Sequence, residues 1–187
     1  NIINKYSEFR NLNKLKEIND IYINCYKLEN NNNKSTLDFR CIIPNKNRID
    51  LQFGQQTNKI IENNDKSWVK AGIFPTQTID SFNKTILYIL KNVVYGPFFN
   101  YQKNDIKLSK NFEKILGFDC QKLILENEVE IYINNIDNSL IKLREIRNLG
   151  NLNELLEIYF ENYKDFEGIK FPTKISAYIG QKEFLIN

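Results

Sequence analysis

The side chains that most often perform chemistry are unevenly supplied in this chain, which contains no histidine. Histidine is the usual general base, a frequent metal ligand, and a member of the Ser-His and Cys-His nucleophile pairs. Its absence removes those kinds of site. Carboxylates remain for acid–base chemistry, but the sequence has no obvious cluster of aspartate and glutamate. The sequence therefore predicts a protein that is not an enzyme and that uses no metal or other cofactor.

The most regular carboxylates are Glu126, Glu128 and Glu130, which alternate along a predicted pair of strands. Alternation places residues i, i+2 and i+4 on one face of a sheet. Such a row is typical of a solvated sheet face rather than a catalytic site, and we interpret it in that way.

The three cysteines, Cys25, Cys41 and Cys120, do not have the spacing of a metal site. If the strands flanking the asparagine tract pair as a hairpin centred near Asn33, Cys25 and Cys41 lie opposite each other. Opposed residues have Cβ atoms about 5 Å apart, which is near disulfide range. Two interpretations stay open: a disulfide formed in an oxidising compartment, or two buried small hydrophobic residues.

Length and composition indicate one globular domain over residues 1–187 with a sizeable core. The net charge is only +3 and the basic residues are scattered, which argues against a nucleic-acid partner. No apolar run is long enough to cross a bilayer. The chain begins at Asn1 rather than Met, which we interpret as the mark of a leader removed naturally or by engineering.

Most of the chain alternates apolar and polar residues in short segments separated by turn residues, which predicts an up-and-down series of about eleven antiparallel strands. A first helix is predicted from Ile2 to Lys16, before the strands begin. The predicted strands are Ile18–Leu28, Leu37–Ile43, Ile49–Phe53, Asn58–Glu62, Ser67–Val69, Ile106–Ser109, Gln121–Leu125, Val129–Ile133, Leu140–Ile146, Leu155–Tyr163, Phe171–Tyr178 and Glu183–Ile186.

A strongly apolar helix is predicted from Thr78 to Tyr95, with Thr78 as its N-cap and Gly96-Pro97 as its stop. Its apolar residues follow the three-then-four spacing of one helical face. One such helix within a long series of strands needs a surface to cover. We expect it to cover the open side of a curved sheet, with an apolar ligand held between them.

Four segments resemble the LolA-like and LolB-like superfamily of outer-membrane lipoprotein carriers and receptors. They are Asn11–Leu15 with Ile18, Ile43–Arg48 around a Pro-Asn turn, Asn64–Trp68, and Tyr163–Pro172. The resemblance implies an unclosed antiparallel β-barrel wrapped around helices that act as a lid, and a role in binding lipoprotein acyl chains.

The chain departs from the superfamily's pattern at several of these positions. Arg10-Asn11 replace a Gly-Gly pair that many sorting relatives carry, and Asp65 is followed directly by Lys66 without the usual glycine. In the lipoprotein carrier an arginine just before the Pro-Asn turn helps to latch the lid, and here that residue is Ile43.

Two functions follow from the residues and the resemblance together. The first is a periplasmic carrier that binds acyl chains of lipoproteins, or another lipid, in a hydrophobic cavity and delivers them toward the outer membrane. The second is an envelope binding or sensor module that has the fold without carrying a lipid. The predicted cavity and lid residues are Leu51, Phe53, Trp68, Phe74, Phe82, Ile86, Ile89, Leu90, Phe98 and Phe99.

The resemblance also implies partners and a location. We expect a monomer that exchanges lipoproteins with an inner-membrane exporter and an outer-membrane acceptor. The expected location is the periplasm, either free or anchored to the outer membrane.

Overall fold

A computed structural model describes residues 1–28, 34–42, 46–53, 55–64, 66–98, 106–125 and 128–187. Within these ranges the protein is mostly β, with three helices and thirteen strands. The helices are α1 (Ile2–Arg10), α2 (Leu12–Glu17) and α3 (Ser81–Tyr95). The strands are β1 (Asp20–Leu28), β2 (Lys34–Ile42), β3 (Lys46–Phe53), β4 (Gln56–Asn63), β5 (Lys66–Ala71), β6 (Gln77–Thr78), β7 (Ile106–Ile115), β8 (Phe118–Leu125), β9 (Glu130–Asn134), β10 (Leu140–Asn148), β11 (Asn153–Phe166), β12 (Ile169–Ile179) and β13 (Lys182–Ile186).

The chain divides into two compact units. Unit 1 comprises Asn1–Leu15 and Lys91–Phe184, and unit 2 comprises Lys16–Leu90 and Leu185–Asn187. The strand order is β12-β11-β10-β9-β8-β7 in unit 1 and β6-β5-β4-β3-β2-β1 in unit 2, with antiparallel neighbours throughout. Neither sheet closes on itself. The predicted mainly β, unclosed antiparallel architecture is therefore confirmed, while a single domain over residues 1–187 stays a prediction.

A row of buried side chains crosses five strands of unit 1. Leu123 pairs with Ile131, Ile131 with Leu143, Leu143 with Ile158, and Ile158 with Ala177. All five side chains are fully buried or nearly so. Burying each of the four larger ones stabilises the fold by about 1.5–3 kcal/mol, so this row fixes the register of the sheet.

The sheet of unit 2 has one buried face for the same reason. Phe39 pairs with Ile49, and Ile49 pairs with Ile60, and all three are buried. The intervening Arg40 and Arg48 lie on the other face and are exposed. The alternation read from the sequence thus identifies the apolar face of this sheet correctly.

The N-terminal segment forms two helices, whereas the sequence predicts one helix from Ile2 to Lys16. Asn11 adopts a left-handed conformation with φ 56° and ψ 49°, and its N–H donates to the carbonyls of Ser7 and Glu8. Asparagine accepts this conformation more readily than most residues. It therefore ends α1, and α2 begins at Leu12.

The apolar helix begins later than the sequence predicts, and its N-cap is not Thr78. Thr78 lies in β6 and pairs with Trp68 of β5. The N-cap is Asp80, whose carboxylate accepts hydrogen bonds from the Asn83 amide at 2.8 Å and from the Asn83 side chain at 2.6 Å. A carboxylate satisfies a free N–H of the first turn and also suits the helix dipole, so it caps the helix better than a threonine two residues earlier.

The predicted pairing of Cys25 with Cys41 is wrong. The hairpin forms, but Cys25 lies opposite Leu37, and Cys41 lies opposite Ile21. The two cysteines are thus offset by four residues, which is about 13 Å along a strand. All three cysteines are buried free thiols, and burial, followed by the nearby Asp38, raises the pKa of Cys25 to about 12.

Several strand boundaries also differ from the prediction. β7 continues to Ile115 rather than ending at Ser109, because a bulge between Leu108 and Phe112 allows its pairing with β8 to resume. The short strand β6 was not predicted. Some predicted features lie outside the described residues: the asparagine loop, Ile43–Asn45, Asp65, Phe99 and Glu126.

Candidate functional site

The predicted cavity residues of the sheet in unit 2 lie in different surroundings. Leu51 is buried in β3 and pairs with Leu37. Phe53 ends the same strand. Trp68 is half-buried in β5. Phe74, in the turn that follows β5, is 64% exposed, so it belongs to the surface of this unit.

The predicted lid residues in α3 form one graded face of the helix. Ile89 and Leu90 are buried, whereas Phe82 and Ile86 are half-buried. Leu87, which the sequence analysis did not select, is also buried. The first ten residues of α3 belong to unit 2, and within them Phe82 and Ile86 keep part of their surface exposed.

A cluster of side chains in unit 1, which we call the α3 anchor, holds the last turn of α3. It consists of Tyr6, Arg10, Gly96, Phe98 and Phe171. The guanidinium of Arg10 donates hydrogen bonds from Nη2 to the carbonyls of Val93 and Val94, at 3.0 and 2.9 Å. The last four carbonyls of a helix lack partners within the helix. Arg10 satisfies two of them, and the Gly96 amide satisfies that of Asn92.

The positive charge of Arg10 is stabilised by helix-end carbonyls and an aromatic ring rather than by a carboxylate of the described residues. Arg10 is fully buried, and no carboxylate pairs with it in the described part of the chain. Its Nη1 donates to the Tyr6 hydroxyl at 3.2 Å, and its guanidinium lies 5.2 Å from the centre of the Phe171 ring. The negative end of the helix dipole and the face of the ring both favour a cation at this position.

Tyr6 completes the anchor. Its ring meets Phe98 edge-to-face at 5.4 Å, which places the predicted cavity residue Phe98 in the packing of unit 1. Burial raises the pKa of Tyr6, although the adjacent Arg10 partly offsets that effect. Gly96 has a φ of +75°, and a Cβ at this position would overlap the Tyr6 hydroxyl. Glycine is therefore required here by both conformation and space.

Unit 1 also contains a cavity of about 500 Å³. Its walls are formed by α1, the β7–β8 turn, the β9–β10 turn and the strands β11 and β12. The lining side chains are Phe9, Leu116, Phe118, Asn134, Asp137, Ser139, Ile141, Phe160, Glu161, Asn162, Tyr163 and Lys170. Aromatic rings and polar groups thus face the same space, an arrangement that is common in sites for small molecules.

The β9–β10 turn supplies the polar end of this cavity. One oxygen of Asp137 accepts hydrogen bonds from the amide and the hydroxyl of Ser139, at 2.9 and 2.7 Å. The side-chain oxygen of Asn134 accepts from the Ile136 amide at 3.0 Å. These local bonds fix both side chains, leaving one carboxylate oxygen and one amide NH₂ group without a hydrogen-bond partner in the described ranges.

Lys170 lies at the other end of the cavity. Its ammonium is 4.5 Å from the centre of the Phe9 ring, and Phe9 meets Tyr163 edge-to-face at 5.2 Å. Tyr163 donates to the carbonyl of Leu140 at 3.0 Å. Lys170 pairs with no carboxylate within the described residues, whereas the nearby Glu161 is paired with Lys174 at 2.8 Å.

A second cavity, of about 380 Å³, lies in unit 2 at one end of strands β1 to β4. Its cationic lining residues are largely engaged within the protein. Arg48 pairs with Asp50 at 2.9 Å, and the guanidinium of Arg40 lies 4.9 Å from the centre of the Tyr22 ring. Neither described cavity is lined by any of the ten predicted cavity residues.

The cavity of unit 1 was not predicted, because many of its residues come from turns and from the ends of elements and the others surround an irregular point within β11. Residues 134–138 lie between the predicted strands Val129–Ile133 and Leu140–Ile146, and Asn162 lies within a strand with a φ of +55°. Positive φ is uncommon for residues other than glycine and often accompanies functional sites. Nothing in a single sequence indicates such a backbone conformation in the middle of a strand.

Glu130 lies in a network of charges on the other face of the sheet in unit 1. It accepts from Lys122 at 2.5 Å, from Arg144 at 3.0 Å and from the Tyr132 hydroxyl at 2.8 Å. Partial burial by itself would raise the pKa of Glu130, but these hydrogen bonds outweigh burial and lower the pKa to about 2. The predicted solvated row of carboxylates is therefore not found in the described residues: Glu130 is partly buried in β9, whereas Glu128 is exposed in the turn before that strand.

Two other kinds of site are absent from the described ranges. No group of three or more cysteine, aspartate and glutamate side chains in the described ranges is arranged to hold a metal ion. No helix in the same ranges has both the length and the apolar content needed to cross a membrane.

No protein-family model matches the chain, and no curated protein matches it by sequence. Solved structures do match it. An outer membrane lipoprotein-sorting protein domain from Vibrio parahaemolyticus is 12% identical with a TM-score of 0.57, and the match covers 100% of this chain and 91% of that one. A DUF1329 family protein from Desulfovibrio piger is 11% identical with a TM-score of 0.55, covering 99% and 89%.

A LolA superfamily protein from Nitrosomonas europaea is 14% identical to the chain, with a TM-score of 0.54 and coverage of 94% and 87%. At these identities the likeness is one of fold. The chain therefore has a LolA-like fold, which confirms the resemblance inferred from its sequence at the level of the fold.

Proposed function

We propose that the protein binds the acyl chains of lipoproteins, or of another lipid, and carries them without making or breaking a bond. The observation that carries this proposal is the likeness in fold, over nearly the whole chain, to a lipoprotein-sorting domain and a LolA superfamily protein. The periplasm is the location at which such a carrier would act, between an exporter in the inner membrane and an acceptor in the outer membrane.

The first part of α3 is the element that we propose meets the acyl chain. Phe82 and Ile86 are half-buried beside the buried Ile89 and Leu90. An acyl chain gains about 0.8 kcal/mol for each CH₂ group that leaves water. Contact with half-buried branched and aromatic residues therefore suffices for binding, and movement of α3 would permit release.

The test is a titration of the protein with a fluorescent acylated peptide, together with native mass spectrometry of the purified protein. We expect Ile86→Asn to weaken binding by about tenfold, because it replaces apolar contact area with an amide. Lys84→Asn is the matched control, since Lys84 is exposed on the same helix, and it should change affinity by less than twofold. Equal effects of the two variants, or no bound acyl species, would refute the proposal.

A second candidate function is an envelope binding module that carries no lipid. Its support is the turn after β5, where Ile73 is 97% exposed and Phe74 is 64% exposed. Two large apolar side chains in water commonly mark a contact with a partner. A photocrosslinking residue at Ile73 that captures one envelope protein, in a protein that binds no acylated peptide, would favour this function over carriage.

A further inference from the structure

We propose that the cavity of unit 1 binds the headgroup of a zwitterionic amphiphile, in which an ammonium and a phosphate are joined to an acyl-bearing backbone. The ammonium would meet Asp137, the phosphate would meet Lys170, and the apolar part would leave past Phe118 and Leu116. This site is separate from the residues proposed above to meet an acyl chain.

The cationic end of the cavity supports an anionic ligand group. Lys170 has the Phe9 ring as a neighbour, and it forms no salt bridge within the described residues, although Asp165 lies opposite it in register. An ammonium over a ring face can still donate N–H groups on the side away from the ring. Asn162, whose side chain makes no hydrogen bond within the described ranges, adds an amide donor to the same lining. Phosphate oxygens accept from both kinds of group.

The anionic end supports a cationic ligand group. Ser139 uses one oxygen of Asp137 for both of its hydrogen bonds. The second oxygen remains available, and the carboxylate is held in place by the first. A fixed carboxylate with a free oxygen is a suitable acceptor for a primary ammonium.

A buried and unpartnered donor at the same end indicates that the cavity is built for a polar ligand. Asn134 is only 3% exposed, and its NH₂ group has no acceptor within the described ranges. In those ranges, the polar side-chain atoms that are both fully enclosed and without a partner are Arg10 Nε and Ser35 Oγ. The NH₂ group of Asn134 is not among them, so it is not fully enclosed. We infer that it opens into the cavity that Asn134 lines, where a ligand oxygen can accept from it.

The separation of the two charges selects among zwitterions. Lys170 lies in β12, and Asp137 lies in the turn that leads into β10, with β11 between these two strands. Neighbouring strands are about 4.8 Å apart, so the two backbones are separated by about 10 Å. An α-amino acid carries both charges on one carbon and therefore has a shorter reach between them. An ethanolamine phosphate group has its charges several bonds apart and fits better.

The rim of the cavity indicates that the ligand also has an apolar part. Phe118 is 43% exposed and Leu116 is 53% exposed, and Leu116 has a φ of +50°. A small polar ligand would leave both side chains in water. Acyl chains attached to the headgroup would cover them as they leave the cavity, which is favourable in proportion to the apolar area removed from water.

The test is isothermal titration of the intact protein with dihexanoyl phosphatidylethanolamine below its micelle-forming concentration. Dihexanoyl phosphatidylglycerol has the phosphate and the chains but no ammonium, and glycerophosphoethanolamine has both charges but no chains. We expect the phosphatidylethanolamine to bind at least tenfold more tightly than either. Equal affinity for the two lipids, tight binding of the chain-free compound, or no binding at all would overturn the inference.

Two variants test which side chain meets the ammonium of the ligand and which meets the phosphate. Asp137→Asn should weaken phosphatidylethanolamine binding about tenfold and leave phosphatidylglycerol binding unchanged, whereas Lys170→Gln should weaken the binding of both. The matched controls are Glu8→Gln and Lys5→Gln, which make the same charge changes on the exposed side of α1. Equal losses for the two lipids in Asp137→Asn would overturn the assignment.

The side-chain NH₂ resonance of Asn134 gives a readout that needs no variant. It should shift on addition of phosphatidylethanolamine, and an unchanged resonance at saturation would contradict the proposed position of the headgroup. A protein that binds acylated peptide through α3 but not phosphatidylethanolamine would refute this inference alone. The reverse result would refute only the proposed binding of lipoprotein acyl chains at α3.

Discussion

Replacing Arg10 with methionine tests whether the α3 anchor stabilises the protein. Methionine is unbranched and apolar but shorter than arginine; it cannot donate to the carbonyls of Val93 and Val94, and it also loses the contact of the guanidinium with the Phe171 ring. Those two bonds are 3.0 and 2.9 Å long and come from a charged group that is fully buried. The variant therefore leaves two helix-terminal carbonyls inside the protein without a donor.

The magnitude follows from two opposing contributions. A hydrogen bond to a charged group stabilises by about 1.5–3 kcal/mol, so losing two of them costs about 3–6 kcal/mol. Removing a buried guanidinium that has no carboxylate partner relieves a desolvation penalty of a few kcal/mol. We expect a net loss of about 2–3 kcal/mol in the free energy of unfolding. For a urea m-value of about 2–3 kcal/mol/M, the midpoint falls by about 1 M.

The assay combines urea unfolding with amide hydrogen exchange. Exchange should accelerate locally at the end of α3, including the amide of Gly96, which donates to Asn92, because the last turn frays without its partners. Lys5→Met, on the exposed side of α1, is the control and should change stability by less than 0.5 kcal/mol. A similarly small loss for Arg10→Met, or a gain, would refute the idea that these bonds stabilise the helix end.

Three further outcomes are expected. Gly96→Ala should lose about 2–4 kcal/mol, because the residue has positive φ and its Cβ would overlap Tyr6; Gly150→Ala, at φ +82° with open space around it, should lose only about 1 kcal/mol, and equal losses would contradict the packing argument. Glu130→Gln should lose about 1–2 kcal/mol near pH 7, a figure discounted for solvent screening. The folded-state pKa of Glu130 is lowered from 4.5 to about 2, so the stability that its ionised carboxylate contributes is present above pH 4.5 and disappears as the pH falls toward 2. A difference in urea midpoint between Glu130→Gln and the unchanged protein that stays constant over this pH range would contradict the prediction. Alkylation of the unfolded protein without reductant should modify all three cysteines. If mass spectrometry shows only one modified cysteine, two cysteines form a disulfide, contrary to the register that separates Cys25 from Cys41.

The fold could be predicted from the sequence because its strands follow a simple alternation. Phe39 and Ile49 are each flanked by polar residues, and this pattern both locates their strands and identifies the buried face. Helix ends and hairpin registers were less accurate. They depend on single local interactions, such as the capping carboxylate of Asp80, and a shift of a few residues leaves the alternation unchanged.

The candidate sites were harder to predict than the fold. The hydrophobic pattern selects residues such as Ile89 and Leu90, which are buried as expected, but it does not distinguish a cavity wall from a filled core. Arg10 was noted only as a departure from a family pattern. Its role depends on carbonyls more than eighty residues away, and a backbone carbonyl leaves no trace in the residue types. Only coordinates reveal that partnership.

The composition of unit 1 has a consequence for how the protein is made. Its helix α1 is near the start of the chain, yet Asn11 donates to the carbonyl of Gly168 at 2.9 Å, and Lys14 donates to that of Glu167. During synthesis, α1 must therefore wait until the β11–β12 hairpin has left the ribosome, whereas the strands of Lys16–Leu90 pair with near neighbours and can form earlier. We expect a nascent chain stopped at residue 160 to leave α1 open to protease and the full-length chain to protect it. In this protein the first helix to be synthesised is therefore among the last elements to pack.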